Sequence, residues 1–338
     1  MTEIEDLLPA IQQMQQAISA AVVAACERQE VNDLSAVAAD ESGDTIYAID
    51  KVGEAQLIEH LSAVAEAVPL ILIAEGLDEG GVVLPRDTAP AEAKIRVLVD
   101  PIDGTRGLMF QKRPAWVLTG VAPNRGAQTR LRDIELAVQT EIPLIKQHQY
   151  DQLWASADGA VHGRRYNRLD GSAQALTVRP SAAQSLEHGF ATFVRFFPGG
   201  RDALAMIDEQ VMRETVGPQP AGKALCFEDQ YACTGGQLYE LMSGHDRMVA
   251  DLRPLLADLL AQRGQEAALC CHPYDLCTML IAERAGVVLT DPSGGALDAP
   301  MNLDADVAWA GYANQAIRQA VEPVLRQALE DHGLVKRD

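Results

Sequence analysis

The ten residues VLVDPIDGTR, positions 97 to 106, restrict the fold more than any other stretch of this 338-residue chain. An apolar run of strand length, KIRVLVD, ends on Asp100, and a second acid, Asp103, follows three residues later. Pro101 fixes one φ between them and Gly104 permits a tight turn, so the two acids are held close. A strand that buries its apolar residues and releases acids where it leaves the sheet belongs in a covered α/β sheet, and strand ends there are where ligands bind. Two ionised carboxylates at close range repel and raise each other's pKa unless a cation lies between them. Oxygen-rich clusters of this kind suit Mg²⁺, Mn²⁺ or Ca²⁺. Taken alone, DPIDG is also compatible with an Asx-turn that only caps a bend.

Two further acids weigh on that choice. Glu75 ends a second apolar run, LILIAE, and adjacent strands ending in acids at one edge make a carboxylate cup. Asp275 follows Pro273 and Tyr274 and opens an apolar helix. Capping is its plain role, and one carboxylate can cap with one oxygen and bind a cation with the other.

The rest of the chain reads as α/β. Leu7, Ile11, Met14, Ile18, Val22 and Cys26 recur at helical spacing and predict one amphipathic helix over 4–28. The acidic, turn-rich residues 31–50 read as a loop or loose hairpin, and Leu57, Ile58, Leu61, Val64 and Ala65 mark a second helix that Pro69 closes. AWVLTGVAP, DIELAVQTEI and QYDQLWASA predict further strands with no helix between them, hence a largely antiparallel sheet in the first half. The Gly-rich, polar residues 158–182 are the candidate boundary between sub-domains 1–182 and 183–338. Beyond it, helices are expected at about 200–215, 224–242 and 243–270, the last interrupted by proline. A short helix closed by Gly286, strands VVLTD and VAWAGYA, and a closing helix through Ile317, Val321, Leu325 and Leu329 complete the chain.

Charge and cysteine content narrow the partners. With 28 Lys and Arg against 48 Asp and Glu, the formal charge of −20 argues against nucleic acid and anionic membranes as main partners. It leaves room for an anionic small molecule, because a bound divalent cation inverts the local sign. The six cysteines form no C-x-x-C pair, and unpaired thiols point to a reducing compartment; His272 beside Cys271 reads as structural. No run approaches a membrane span and the N-terminus has no signal-peptide pattern, so the expected location is the cytoplasm.

Glu75, DPIDGT at 100–105 and YDLCTMLIAERAGVVLTDPSGGALDAP at 274–300 together resemble the inositol monophosphatase family, within the Mg²⁺-dependent, lithium-sensitive phosphatase superfamily. The likeness in order and spacing extends from about residue 5 to 315. It implies alternating helix and sheet layers, a homodimer, and a phosphomonoesterase acting on a small polyol, sugar or nucleotide phosphate. It further implies two or three Mg²⁺ ions held by Glu75, Asp100, the carbonyl of Ile102, Asp103 and Asp275. Thr105 would orient the attacking water, the amides of Gly104 and Thr105 would receive the phosphate, and Asp50 would tune the metals from outside.

This chain also departs from the pattern. Gly76 stands where the family commonly has a second acid, with Asp78 and Glu79 close by; Tyr274 replaces a usual Trp; and Arg106 beside the phosphate turn either touches phosphate or points to solvent. Gly76 motivates the alternative of a catalytically impaired metal- and phosphate-binding regulator. Residues 243–270 lengthen the stretch before Asp275 and read as a lid, a dimer contact or surface padding. With no aromatic residue placed by sequence for base stacking, an inositol or sugar phosphate is the preferred substrate.

Overall fold

The computed structural model describes residues 4–28, 37–41, 44–77, 80–266 and 268–336. After a 3-10 turn, helix α1 spans Leu8–Arg28 and buries the predicted stripe Ile11, Met14, Ile18 and Val22. Gln15 shares that buried face because all its polar atoms are used. Its Nε2 donates to Thr119 Oγ1 and to the Val138 carbonyl, each at 2.8 Å, and its Oε1 accepts from Thr140 at 2.6 Å. The acidic stretch forms a hairpin, β1 (Val37–Glu41) with β2 (Asp44–Tyr47), followed by helix α2 (Asp50–Ala65).

The first sheet comprises β3 (Leu70–Ala74), β4 (Val82–Leu84), β5 (Ile95–Asp103), β6 (Ala115–Pro123), β7 (Leu136–Ile142), β8 (Gln149–Ser156), β9 (His162–Asn167) and β10 (Ala173–Ala175). Its order is β10-β9-β8-β7-β6-β5-β3-β4. Every neighbouring pair is antiparallel except β3 with β5, which run parallel. A short helix, α3 (Thr105–Met109), follows β5 directly. The Gly-rich residues 158–182 thus carry the last two strands of this sheet.

The second half opens with β11 (Gly189–Phe193) and helix α4 (Arg201–Thr215), then β12 (Cys226–Phe227), helix α5 (Thr234–Met242) and β13 (Asp246–Asp251). Helices α6 (Ala257–Gln262) and α7 (Met279–Ala285), strands β14 (Val288–Thr290) and β15 (Trp309–Tyr312), and helix α8 (Gln315–Asp331) complete it. The five strands are ordered β12-β11-β13-β15-β14.

Two helical expectations hold only in part, the second of them over Arg253–Gln262, where a 3-10 turn carrying Pro254 runs into α6. Residues 224–242 are helical only from Thr234, and 243–270 begin with β13, a strand inside the second sheet. DRMVAD is a six-residue run covered on both faces, and at that length a buried strand and a helical turn share one pattern. The segment is therefore core at its start, not padding.

Alternation along the strands sorts the layers. Leu70, Leu72, Val97 and Val99 pack with α1 and α2, whereas Ile71, Ile73, Leu98 and Leu118 face α5 and α7. Val249, Leu289 and Trp309 close that middle layer from the second sheet, and Met248, Ala250 and Tyr312 turn to α4 and α8 on the far side. The result is helix, sheet, helix, sheet, helix. All six cysteines are free, and among the described residues no helix is long and apolar enough to cross a membrane.

Several buried acids lie away from the β3 and β5 ends, Glu141 among them. Glu141 on β7 accepts from Gln147 Nε2 at 2.6 Å and from the Asp151 N–H at 3.1 Å, yet burial pushes its pKa up to about 7. The folded state then keeps a proton that the unfolded chain loses near 4.5, so stability falls as pH rises between those values and is flat above. Urea unfolding of metal-free protein at pH 5 and pH 8 should show a loss at the higher pH that is smaller by a few kcal/mol in Glu141→Gln, the remainder belonging to the other raised acids such as Asp246. An equal loss in both proteins would contradict this.

Candidate active site

Asp100 and Asp103 are three residues apart, a spacing that puts side chains of a regular strand on opposite faces. On β5, Asp100 pairs with Leu118 of β6 and Asp103 with Trp116, three steps against two. The additional residue is a β-bulge, and it returns Asp103 to the side of Asp100. Pro101 falls in this irregular stretch, where its missing N–H costs no ladder bond, and Asp100 Oδ1 accepts the Ile102 N–H at 2.9 Å.

Asp275 arrives from the second half on a 3-10 turn, Pro273–Leu276, and its Oδ2 accepts the His272 N–H at 2.6 Å. One oxygen from each of Asp100, Asp103 and Asp275 lies within 4.8 Å of the others. Glu75 follows β3 directly. Because Ala74 stands opposite Val99 in the parallel pair, Glu75 and Asp100 leave neighbouring strands at the same edge. Glu75 lines the same cavity, outside the 4.8 Å group.

The first turn of α5 reaches across to hold Asp103. The N–H groups of Thr234 (3.3 Å) and Gly235 donate to its carboxylate, and the Cys233 thiol donates to its carbonyl at 3.2 Å. These contacts set the order of the acidities. Burial, and then the charges of Glu75, Asp103 and Asp275, raises Asp100 well above the ordinary carboxylate range. Burial followed by Asp103 does the same to Asp275. Asp103, also buried, is raised only to about 6 because the Gly235, Cys233 and Thr234 donors favour its charged form. Three converging carboxylates, with Asp100 and Asp275 raised in part by their acidic neighbours, fit a hard divalent cation, whose charge would relieve the repulsion.

Beside the acids, the chain reverses through Gly104 at φ +95°, where an added Cβ would lie 2.9 Å from Cys233 Cβ. Thr105 Oγ1 is 2.9 Å from Asp50 Oδ1 and 2.8 Å from the Ile102 carbonyl, and Asp50 Oδ2 accepts the Tyr47 N–H at 2.7 Å. The cavity wall is aromatic and cationic: Tyr47, Arg106, Phe196, Phe197, Arg253 and Tyr274 line it together with His272. Arg253 is fixed by Asp251, through Nε at 2.8 Å and Nη2 at 2.5 Å, and by the Leu269 carbonyl at 2.6 Å.

No protein-family model and no curated protein matches the sequence, whereas solved structures match the fold over nearly its whole length. The extragenic suppressor protein SuhB from Bartonella henselae is 16% identical, with 95% of this chain and 98% of that chain covered at a TM-score of 0.63. The fold is the inositol monophosphatase fold. The IMPase of Thermotoga maritima superposes over 97% of this chain and 100% of its own at 14% identity and a TM-score of 0.63. A calcium-bound IMPase family protein from Staphylococcus aureus covers 96% of each chain at 12% identity and a TM-score of 0.62.

Within this inositol monophosphatase fold, the residues expected to bind metal, water or phosphate line one cavity: Asp50, Glu75, Asp100, Ile102, Asp103, Gly104, Thr105, Arg106 and Asp275. Arg106 therefore faces the site. Gly76 adopts φ +81°, so the turn leaving β3 itself calls for glycine there, while Asp78 and Glu79 lie outside the described residues. His272 lines the cavity and stacks on Tyr274, with ring centroids 5.1 Å apart. Sequence reasoning missed the aromatic wall and the α5 clamp. Phe196 and Phe197 of the wall come from FFPGGR, a stretch the sequence reading left unassigned; the clamp comes from CTGG, whose Cys233 accepts the Gly236 N–H at 3.2 Å in the N-cap position. The aromatic rings remove the ground on which an inositol or sugar phosphate was preferred.

Proposed function

We propose that the protein is a divalent-cation-dependent phosphomonoesterase acting on a small-molecule phosphate, with its site between sub-domains 1–182 and 183–338. The observation that carries this is the convergence of two buried aspartates, Asp100 and Asp103, and the half-buried Asp275 within 4.8 Å, with Glu75 beside them. Glu75, Asp100, the Ile102 carbonyl, Asp103 and Asp275 would hold two or three Mg²⁺ ions. Mg²⁺ bound there supplies neutralisation of the phosphate oxygens, a more acidic water and stabilisation of the leaving alkoxide.

The chain's own groups do the positioning. Thr105 has one proton to share between Asp50 and the Ile102 carbonyl, so its oxygen keeps a lone pair to orient an attacking water. Asp50 holds that hydroxyl in place. The Gly104 and Thr105 amides are the receivers of the phosphate, at a turn fixed by close packing on Cys233. The α5 amides keep Asp103 ionised and aligned.

Phosphate release from inositol, sugar and nucleotide phosphates, measured with Mg²⁺, with chelator and with Li⁺, tests this directly. Release that needs Mg²⁺ supports the reading. Tight Mg²⁺ binding without release would favour the impaired, regulatory protein of the same fold. Absence of both would defeat the proposal.

A further inference from the structure

Gln139 lies at the centre of β7, fully buried, and its amide joins two elements that serve the acids. Leu118 pairs with Asp100 on one side and with Gln139 on the other, so the three form one cross-strand row. Residues paired across a sheet share a face, and this face is the one that α5 and α7 cover.

Gln139 Nε2 donates to the Gly235 carbonyl at 2.7 Å. Gly235 is the residue whose N–H holds the Asp103 carboxylate. It comes so close that a Cβ there would lie 3.0 Å from Asp103 Oδ2 and 2.6 Å from Leu118 Cδ2. At the other end of the amide, Gln139 Oε1 accepts from Thr278 Oγ1 at 3.0 Å. Thr278 is also fully buried and stands three residues beyond Asp275. Its carbonyl accepts the Ile281 N–H at 2.9 Å where α7 begins.

A buried glutamine costs free energy to desolvate and gains little net stability from its two bonds. An apolar residue would fill the same space, as Leu118 and Leu153 do at the paired positions of the neighbouring strands. What the amide adds is direction. One end fixes the α5 turn that aligns Asp103, and the other fixes the segment that follows Asp275 out of the second half. Mg²⁺ demands near-ideal octahedral oxygens at about 2.0–2.1 Å, whereas Ca²⁺ accepts irregular oxygen sets at about 2.3–2.6 Å. A small displacement of one carboxylate therefore penalises Mg²⁺ far more than Ca²⁺.

Building on the proposed function, we propose that Gln139 is a positioning residue. Through Gly235 and Thr278 it holds Asp103 and Asp275 at the spacing that Mg²⁺ requires, and thereby sets how the site discriminates between Mg²⁺ and Ca²⁺.

Calorimetric titration of the full chain with Mg²⁺ and, separately, with Ca²⁺ tests this without turnover. Gln139→Met keeps the length and loses both bonds. It should raise the Mg²⁺ Kd by about tenfold to a hundredfold, as removal of a group that orients a metal ligand does. The Ca²⁺ Kd should change by no more than about threefold. Thr278→Val breaks one bond and should shift the ratio of the two affinities in the same direction by less. Thr278→Ser keeps the hydroxyl and should leave the ratio as in the wild type. The double variant Gln139→Met/Thr278→Val should lose no more than Gln139→Met alone, because the link is already broken. A merely structural role would lower the metal-free melting temperature and leave the ratio untouched. Equal or larger losses for Ca²⁺, or additive losses in the double variant, would overturn the assignment. Should Gln139→Met not fold, the two Thr278 variants decide by the same ratio. A wild-type chain that binds neither cation defeats the proposed function together with this inference, whereas binding with a ratio indifferent to the substitutions defeats this inference alone.

Discussion

Asp103→Asn is expected to lower Mg²⁺-dependent phosphate release by at least about 1,000-fold, because it removes a charge from the group that would hold the cations. The substitution keeps size but not chemistry. Asp103 accepts from the N–H groups of both Thr234 and Gly235, and the Asn amide nitrogen would meet one of these donors with another donor. Against that loss stands a gain, since the metal-free site no longer confines the Asp103 charge beside Asp100 and Asp275, whose own ionisation burial already disfavours. The melting temperature without metal should therefore move little. Mg²⁺ at about 100 times its Kd stabilises a binding protein by about 2.7 kcal/mol, and the variant should lose that stabilisation entirely. Full activity, or an undiminished Mg²⁺-induced rise in melting temperature, would remove Asp103 from the proposed cation site.

Gly104→Ala should be the most damaging small substitution at the site. The backbone there is left-handed, a conformation costing an L-residue about 1–2 kcal/mol, and the new methyl would lie 2.9 Å from Cys233 Cβ and 3.0 Å from its sulfur. Overpacking of that kind adds about 1–3 kcal/mol. Relief requires either the 104–105 turn or the first turn of α5 to move. A displacement of about 1 Å is enough to reduce turnover about a hundredfold. Gly76→Ala is the control: its φ is also positive, but nothing lies within 4 Å of an added Cβ. Urea unfolding of the two variants separates backbone strain from contact. Equal destabilisation would show that packing on Cys233 does not matter.

What could be read from the sequence followed from local rules, and what could not depended on distant partners. Strand ends announce acids, so Glu75, Asp100 and Asp103 were legible before any coordinates, as was the helical stripe of α1. The match of Asp275 to them rested on family likeness, because nothing local says that residue 275 returns to residue 100. β13 was misread because a strand covered on both faces has no alternation to betray it. The α5 clamp and the Phe196–Phe197 part of the aromatic wall were invisible for a different reason. Each joins segments about 90 residues or more apart, Asp103 to Thr234 and Arg106 to Phe197, and composition carries no record of such pairings.

The bulge in β5 has a consequence for how this protein can change over generations. Substitutions along 100–104 alter the strength of the site by degrees, but a gain or loss of one residue rotates Asp103 to the opposite face of the sheet, away from Asp100 and into the layer beneath. The same shift would detach it from the α5 amides. Length in this segment is therefore all-or-none, whereas composition is graded. Lineages that keep the chemistry should vary in the letters between the two aspartates and never in their number, and indels should accumulate elsewhere, in turns such as 168–172 that hold no part of the cavity.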